Sequence, residues 1–197
     1  MRARLALASS GLSVKLREVV LRDKPPEMIA ASPKATVPVL VLSDGQVVDE
    51  SLDVMKWALA KHDPESWLGA DLKLTDELID TMDGSFKDNL DRYKYANRYE
   101  GAVAETHRSE AAQHLCELDE RLSKSAWLCG ASPSLADYAI LPFVRQFANT
   151  DRSWFDEQEW PYVQKWLECF LTSERFHAVM KKYPQWHSGE VEVDFPS

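Results

Sequence analysis

The apolar periodicity of residues 39–59 changes once, from that of a strand to that of a helix, and this switch limits what the chain can build. Val39-Leu40-Val41-Leu42 is a short apolar run rich in β-formers, and Asp44-Gly45 is a tight-turn dipeptide. Gln46-Val47-Val48 then returns as the second arm of a hairpin. From Leu52 the apolar residues (Leu52, Met55, Leu59) follow helical spacing, with Ser51 in a position to cap the first turn. Pro38 has no N–H to give to a sheet, so it must open its strand or lie at an edge. The backbone of Val37 is thereby left to pair with something else. The helix that follows the hairpin starts with Glu50 and Ser51, and a helix N-terminus favours a carboxylate.

Bulk properties narrow the partners. The chain has 197 residues, 45% of them hydrophobic and 28% charged, within the range of soluble globular proteins with one domain or two small ones. No apolar run reaches the length a membrane helix needs, and the apolar stretch after Arg4 is too short for a signal peptide. A net charge of −9 argues against nucleic acid and anionic membranes as partners. That charge is uneven. Residues 1–62 hold 9 basic and 7 acidic side chains (+2), and the rest hold 14 and 25 (−11). Cys116, Cys129 and Cys169 form no CxxC pair and no metal spacing, so they read as small buried apolar residues in a reducing cytoplasm. The five histidines show no metal-binding arrangement.

Along the chain, residues 1–9 read as a helix ended by Gly11, with Arg2 and Arg4 at the end where cations are unfavourable. Val14 to Leu21 reads as a strand, and Pro26 to Ala31 as a short helix. Ser32-Pro33-Lys34-Ala35 turns into the hairpin. His62 to Ser66 breaks the pattern. Beyond it, Leu72 to Arg98 and Glu105 to Ser123 carry helical apolar stripes. Ser134-Leu135-Ala136-Asp137 is a capping box before the apolar run Tyr138–Leu141, in a helix that Pro142 should kink. Trp160-Pro161 opens another helix, and Ser173 to Lys182 supplies a last one. The tail, residues 188–196, alternates like a strand.

The residues Val37-Pro38-Val39-Leu40, Asp49-Glu50-Ser51-Leu52-Asp53 and Leu21-Arg22-Asp23-Lys24-Pro25 resemble the glutathione S-transferase superfamily, in its bacterial omega-like and glutaredoxin-like members. The resemblance implies a thioredoxin-like α/β domain over residues 1–62, a linker over 63–70, an all-helical domain over 71–187 and a tail over 188–197. It implies glutathione as co-substrate. A cis Val37–Pro38 bond would present Val37 to the cysteinyl part, Glu50 and Ser51 would hold the γ-glutamyl end, and Lys24 would face the glycyl carboxylate. Phe86, Tyr93 and Tyr95 fall on the helix that walls the electrophile pocket in the family, although Phe86 and Tyr93 are also spaced like a core stripe. Ala35 stands where relatives commonly have glycine, which disfavours a positive φ there. The implied function is transfer of glutathione to a small hydrophobic electrophile, as in detoxification, or exchange with a disulfide. The implied assembly is a cytoplasmic homodimer. A non-catalytic scaffold or stress regulator on the same fold is the alternative.

Family members begin with a strand and a Cys-Pro-x-x loop, or its Ser or Tyr equivalent, directly before the helix that residues 1–9 resemble. The expectation is therefore that the first strand and the catalytic residue precede Met1, and that the chain as numbered turns over poorly. The lost strand would lie between Val14–Leu21 and Val39–Leu42. Its backbone partners would then need another segment, and among the candidates the tail, Val191–Phe195, ranks last because relatives with complete sheets also carry one.

Overall fold

In the computed structural model, which describes residues 1–196, the first helix runs over Arg2–Ser10 (α1) and stops at Gly11. Gly11 takes φ +66°, a left-handed cap that glycine adopts without steric cost. Leu5, Ala6 and Leu7 turn inward, and α1 packs on the helix after the hairpin, α3 (Ser51–Lys61), through that helix's Val54, Met55, Ala58 and Leu59. Each large aliphatic side chain buried this way contributes about 1.5–3 kcal/mol. The unfavourable placement of Arg4 is resolved by tertiary contacts. Its guanidinium pairs with Glu18 at 2.6 Å and donates to the carbonyls of Val179 and Lys181, at and beyond the C-terminal end of α10 (Glu174–Val179). Carbonyls there lack intrahelical partners.

The expected strand Val14–Leu21 is only Val14–Leu16 (β1). Residues 17–25 are irregular and make one tight turn, in which Asp23 N–H donates to the Val20 carbonyl at 2.8 Å. After α2 (Pro26–Ala31) comes the hairpin of β2 (Leu40–Val41) and β3 (Val47–Val48), paired Leu40↔Val48 and Val41↔Val47. Gly45, at φ +86°, turns it. The tail overturns its ranking. Val193–Phe195 (β4) pairs antiparallel with β1, in the register Val14↔Phe195, Lys15↔Asp194 and Leu16↔Val193. The physical reason is complementarity in two forms. Phe195 is buried, while Asp194 and Glu192 meet Lys15 and Arg17, each at 2.6 Å. The strands thus form two separate two-stranded sheets, β1–β4 and β2–β3. The segment from Glu174 onward groups with residues 1–65 in one compact unit, and residues 66–173 form the other.

The second unit is all helical: α4 (Leu72–Thr81), α5 (Lys87–Lys94), α6 (Ala104–Leu122), α7 (Leu135–Ala148), α8 (Arg152–Asp156) and α9 (Pro161–Leu171). The single helix expected over Leu72–Arg98 is interrupted. Met82–Phe86 form a π-turn in which Gly84 leaves helical geometry at φ −89°, ψ −106°. Such turns insert a residue into the helical ladder, and glycine tolerates the distortion best. Phe86, Leu90, Leu115, Ile140, Val144 and Phe147 fill the core.

The capping box at Ser134 forms as expected, and Asp137 is fully buried within it. Its carboxylate accepts from the Ser134 N–H and hydroxyl and from the Leu128 N–H, at 2.7–2.9 Å. Burial nonetheless pushes the Asp137 pKa up. The cysteines depart from expectation: Cys116 and Cys169 are exposed and Cys129 is half-buried. On α6 and α9 the core positions are Leu115 and Phe170, so the cysteine next to each falls about 100° round the helix and faces out.

Replacing Asp137 by Ala leaves two buried N–H groups unpaired. It should destabilise the helical unit by about 2–4 kcal/mol, against about 1 kcal/mol for Ser134→Ala, measured by urea unfolding.

Candidate functional site

The residues proposed for glutathione lie on three features of the first unit: the loop before α2, the turn before β2, and the start of α3. Val37–Pro38 is cis, as expected. Val37 is 49% exposed, and among the described residues no hydrogen bond reaches its N–H or its carbonyl. An exposed residue with both backbone groups open is suited to receive another extended backbone.

The turn ahead of it is tied to α3 by groups to which the sequence reading assigned no role. The buried Ser32 hydroxyl donates to Asp49 Oδ2 at 2.7 Å, and the Lys34 ammonium reaches Asp49 Oδ1 at 3.2 Å and Glu50 Oε1 at 2.9 Å. The available signal was the turn Ser32-Pro33-Lys34-Ala35 facing two consecutive carboxylates. These contacts hold Ala35 at φ +53°, against the expectation that alanine would avoid a positive φ. Its N–H closes the turn on the Ser32 carbonyl at 2.9 Å. A local preference of about 1–2 kcal/mol is thereby overridden.

At the start of α3 the order of roles also differs from expectation. Glu50 is the N-cap residue and makes no side-chain cap bond, and Ser51 is the first helical residue rather than the cap. Among the described residues the Ser51 hydroxyl has no hydrogen-bond partner, and the N–H groups of the first turn have none within the helix. The result is a cluster of free donors at the positive end of an eleven-residue helix, beside the Glu50 carboxylate. It suits a group bearing both a carboxylate and an ammonium. Lys24 is half-buried and forms no ion pair among the described residues, so it is a cation open to an anionic ligand.

Phe86 and Tyr93 belong to the helical core. Phe86 is fully buried against Phe147 (5.8 Å between ring centroids), and Tyr93 lies 5.4 Å from the same ring. Burial pushes the Tyr93 hydroxyl pKa up. A ring packed this way does not wall an open pocket, so of the three only Tyr95 keeps a partly accessible ring, with Arg98 stacked over it at 4.2 Å. Among the described residues there is no cluster of side chains fit to hold a metal ion, and no helix is long and apolar enough to cross a membrane.

Comparison with known proteins bears on family and fold. Residues 1–66 match the family model of the glutathione S-transferase N-terminal domain, and residues 95–169 match that of the C-terminal domain. The probable glutathione S-transferase parA of Nicotiana tabacum is 24% identical over 196 residues, covering 95% of this chain and 85% of that protein. Among solved structures, the ternary complex of BphK, a bacterial GST, superposes with TM-score 0.76 at 17% identity over 90% of this chain and 91% of its own. Apo glutathione S-transferase III gives 0.71 at 19% identity over 93% of each chain. A glutathione S-transferase from Rhodospirillum rubrum F11 gives 0.71 at 20% identity, over 98% of this chain and 90% of its own. These likenesses establish the fold: a thioredoxin-like domain followed by a helical one.

The Ser32 hydroxyl first, and Lys34 second, hold the Asp49 pKa below the usual carboxylate value. A depressed native pKa adds stability that is present above the unfolded value, about 3.9, and is lost as pH falls through the native one. The tie between turn and helix should therefore hold at neutral pH and loosen only in acid. Ser32→Ala should raise the Asp49 pKa towards the unfolded value, read by NMR titration of the carboxyl carbon. Ala35→Gly should relieve the turn and stabilise the unit by up to about 1 kcal/mol in urea unfolding.

Proposed function

This chain belongs to the glutathione S-transferase superfamily, and we propose that it binds glutathione and uses it as a co-substrate, for transfer to a small hydrophobic electrophile or for exchange with a disulfide. The observation that carries this reading is the open backbone of Val37 beside the unpaired donors that begin α3. The cysteinyl N–H and carbonyl of the tripeptide would pair with Val37, whose bond to Pro38 joins it to the hairpin. The γ-glutamyl carboxylate would sit on the first turn of α3 and the Ser51 hydroxyl, where donors and helix dipole both favour it. Its ammonium would meet Glu50. Lys34 already neutralises that carboxylate in the free protein, so binding exchanges one cation for another. Lys24 would take the glycyl carboxylate. Of the family's electrophile wall only Tyr95 has a ring free enough to contribute.

In the proposed assembly two chains form a homodimer, which light scattering should report as about twice the mass of one chain. The proposed setting is the cytoplasm, where glutathione and exposed thiols such as Cys116 and Cys169 stay reduced.

Calorimetric titration tests the binding reading. Ser51→Ala removes a donor to a carboxylate and should weaken glutathione binding by about 1–3 kcal/mol. Glu50→Gln should weaken it as well. Unchanged affinity in both variants, with the fold intact, returns the pair to the role of a helix start and overturns the assignment. Retention of the wild-type chain on immobilised glutathione separates it from a scaffold on the same fold, which need not bind the tripeptide.

A further inference from the structure

The C-terminal segment is unusually well attached for a tail, and its contacts converge on one stretch of chain. Residues 17–25 have no regular structure, and Leu21, Arg22 and Asp23 in their middle are exposed. The local ties there are slight: the Val20–Asp23 turn, and the Val19 N–H donating to the Glu18 carboxylate at 3.2 Å. The tail supplies more of them. Trp186 N–H donates to the Glu18 carbonyl at 2.8 Å, and Gln185 Nε2 donates to the Asp23 carboxylate at 2.9 Å and to its carbonyl at 3.3 Å. The Ser188 hydroxyl donates to Glu27. Arg17 lies 4.4 Å over the Trp186 ring and pairs with Glu192, while Lys15 pairs with Asp194 across the β1–β4 ladder. Lys24 lies between Asp23 and Glu27 in the chain, so the tail holds the Asp23 carbonyl and carboxylate on one side of it and the Glu27 carboxylate on the other, and leaves its own side chain alone.

We propose that the C-terminal strand is a strap that positions Lys24, and through it the glycyl end of bound glutathione. This rests on the ligand reading of Lys24 given above. The attachment divides its labour. Trp186 and Phe195 are buried and supply most of the adhesion, because burial of apolar area is the larger contribution. The two ion pairs add little strength but favour one register, since Lys15 stands directly across the ladder from Asp194 and Arg17 meets Glu192 just beyond its end. Slipping the strand by one residue would turn Phe195 outward and bring Asp194 to the inner face. Gln185, Trp186 and Ser188 act only through the backbone and flanks of the 17–27 stretch, which makes them positioning residues.

The test measures amide exchange across residues 15–27 together with calorimetric affinity for two ligands, glutathione and γ-glutamylcysteine, which lacks the glycyl residue. A chain ended after Pro184 should exchange faster throughout that stretch and bind glutathione about tenfold more weakly, the scale of one charge-assisted hydrogen bond. Its affinity for γ-glutamylcysteine should change by no more than about twofold, since that ligand has no glycyl carboxylate for Lys24 to hold. Asp194→Lys, which leaves the full chain in place, should speed exchange about threefold by setting two cations opposite each other, and Lys15→Asp in the same chain should restore it. Equal weakening of both ligands, or exchange unaltered in both tail variants, overturns the strap. If Lys24→Ala binds glutathione as the wild type does, the ligand reading of Lys24 falls and the positioning role with it, whatever the exchange data show.

Discussion

A strand three residues long cannot hold itself in place, and β1 depends for its pairing on residues near the other end of the chain. That long-range antiparallel ladder makes the first unit discontinuous in sequence: residues 1–65 are completed by the segment from Glu174 on. Much of the unit follows from it. Arg4 reaches the end of α10 and also Glu18, the residue whose carbonyl Trp186 secures. Glu65, at the unit's far boundary, accepts from Ser9 on α1 and pairs with Arg175 in α10 at 2.6 Å. Polar contacts from α1, the β1 loop and residue 65 thus converge on the returning chain.

The candidate site uses a different device, electrostatic ties between a turn and a helix end. Ser32 and Lys34 bind the turn to Asp49 and Glu50, so the peptide groups of Val37 and the first turn of α3 are fixed relative to one another. The cost is a left-handed alanine at position 35. In the proposed mode of binding the donors of α3 are unpaired beforehand, and little would be broken beyond the exchange of Lys34 for an incoming ammonium. Lys24, the cation of the proposed ligand set, stands in a stretch with almost no structure of its own. The two devices act on different stretches: the tail brackets residues 23–27, and the turn ties residues 32–35 to the start of α3.

The local elements were legible in the residues where a short-range rule was strong enough to decide. Gly11 as a left-handed cap, Asp44-Gly45 as a hairpin turn, Pro26 and Pro161 in the first turns of helices, and the Ser134–Asp137 box all follow from chemistry within a few residues. Val37-Pro38 with Glu50-Ser51 likewise marked the candidate site and the superfamily. Where the rule was weaker, the elements shrank or broke: Val14–Leu21 kept three residues of strand, and Gly84 interrupted a helix whose apolar stripe runs straight through it.

Tertiary structure alone decided the rest. Alternation in residues 191–195 announced a strand but could not name its partner, because antiparallel pairing across more than 170 residues leaves no local trace; the match of Lys15 and Arg17 with Asp194 and Glu192 exists only once the ends meet. The same holds for Phe86 and Tyr93, whose spacing suited a pocket wall or a core stripe equally and which Phe147 drew into the core. Ala35 makes the point at the scale of one residue. Its own preference is for negative φ, and the hydroxyl and ammonium that hold it otherwise act on carboxylates fourteen or more residues away. Sequence determines what is settled within a turn of helix or a tight loop, and chain-distant polar contacts settle what local energies of about 1 kcal/mol leave open.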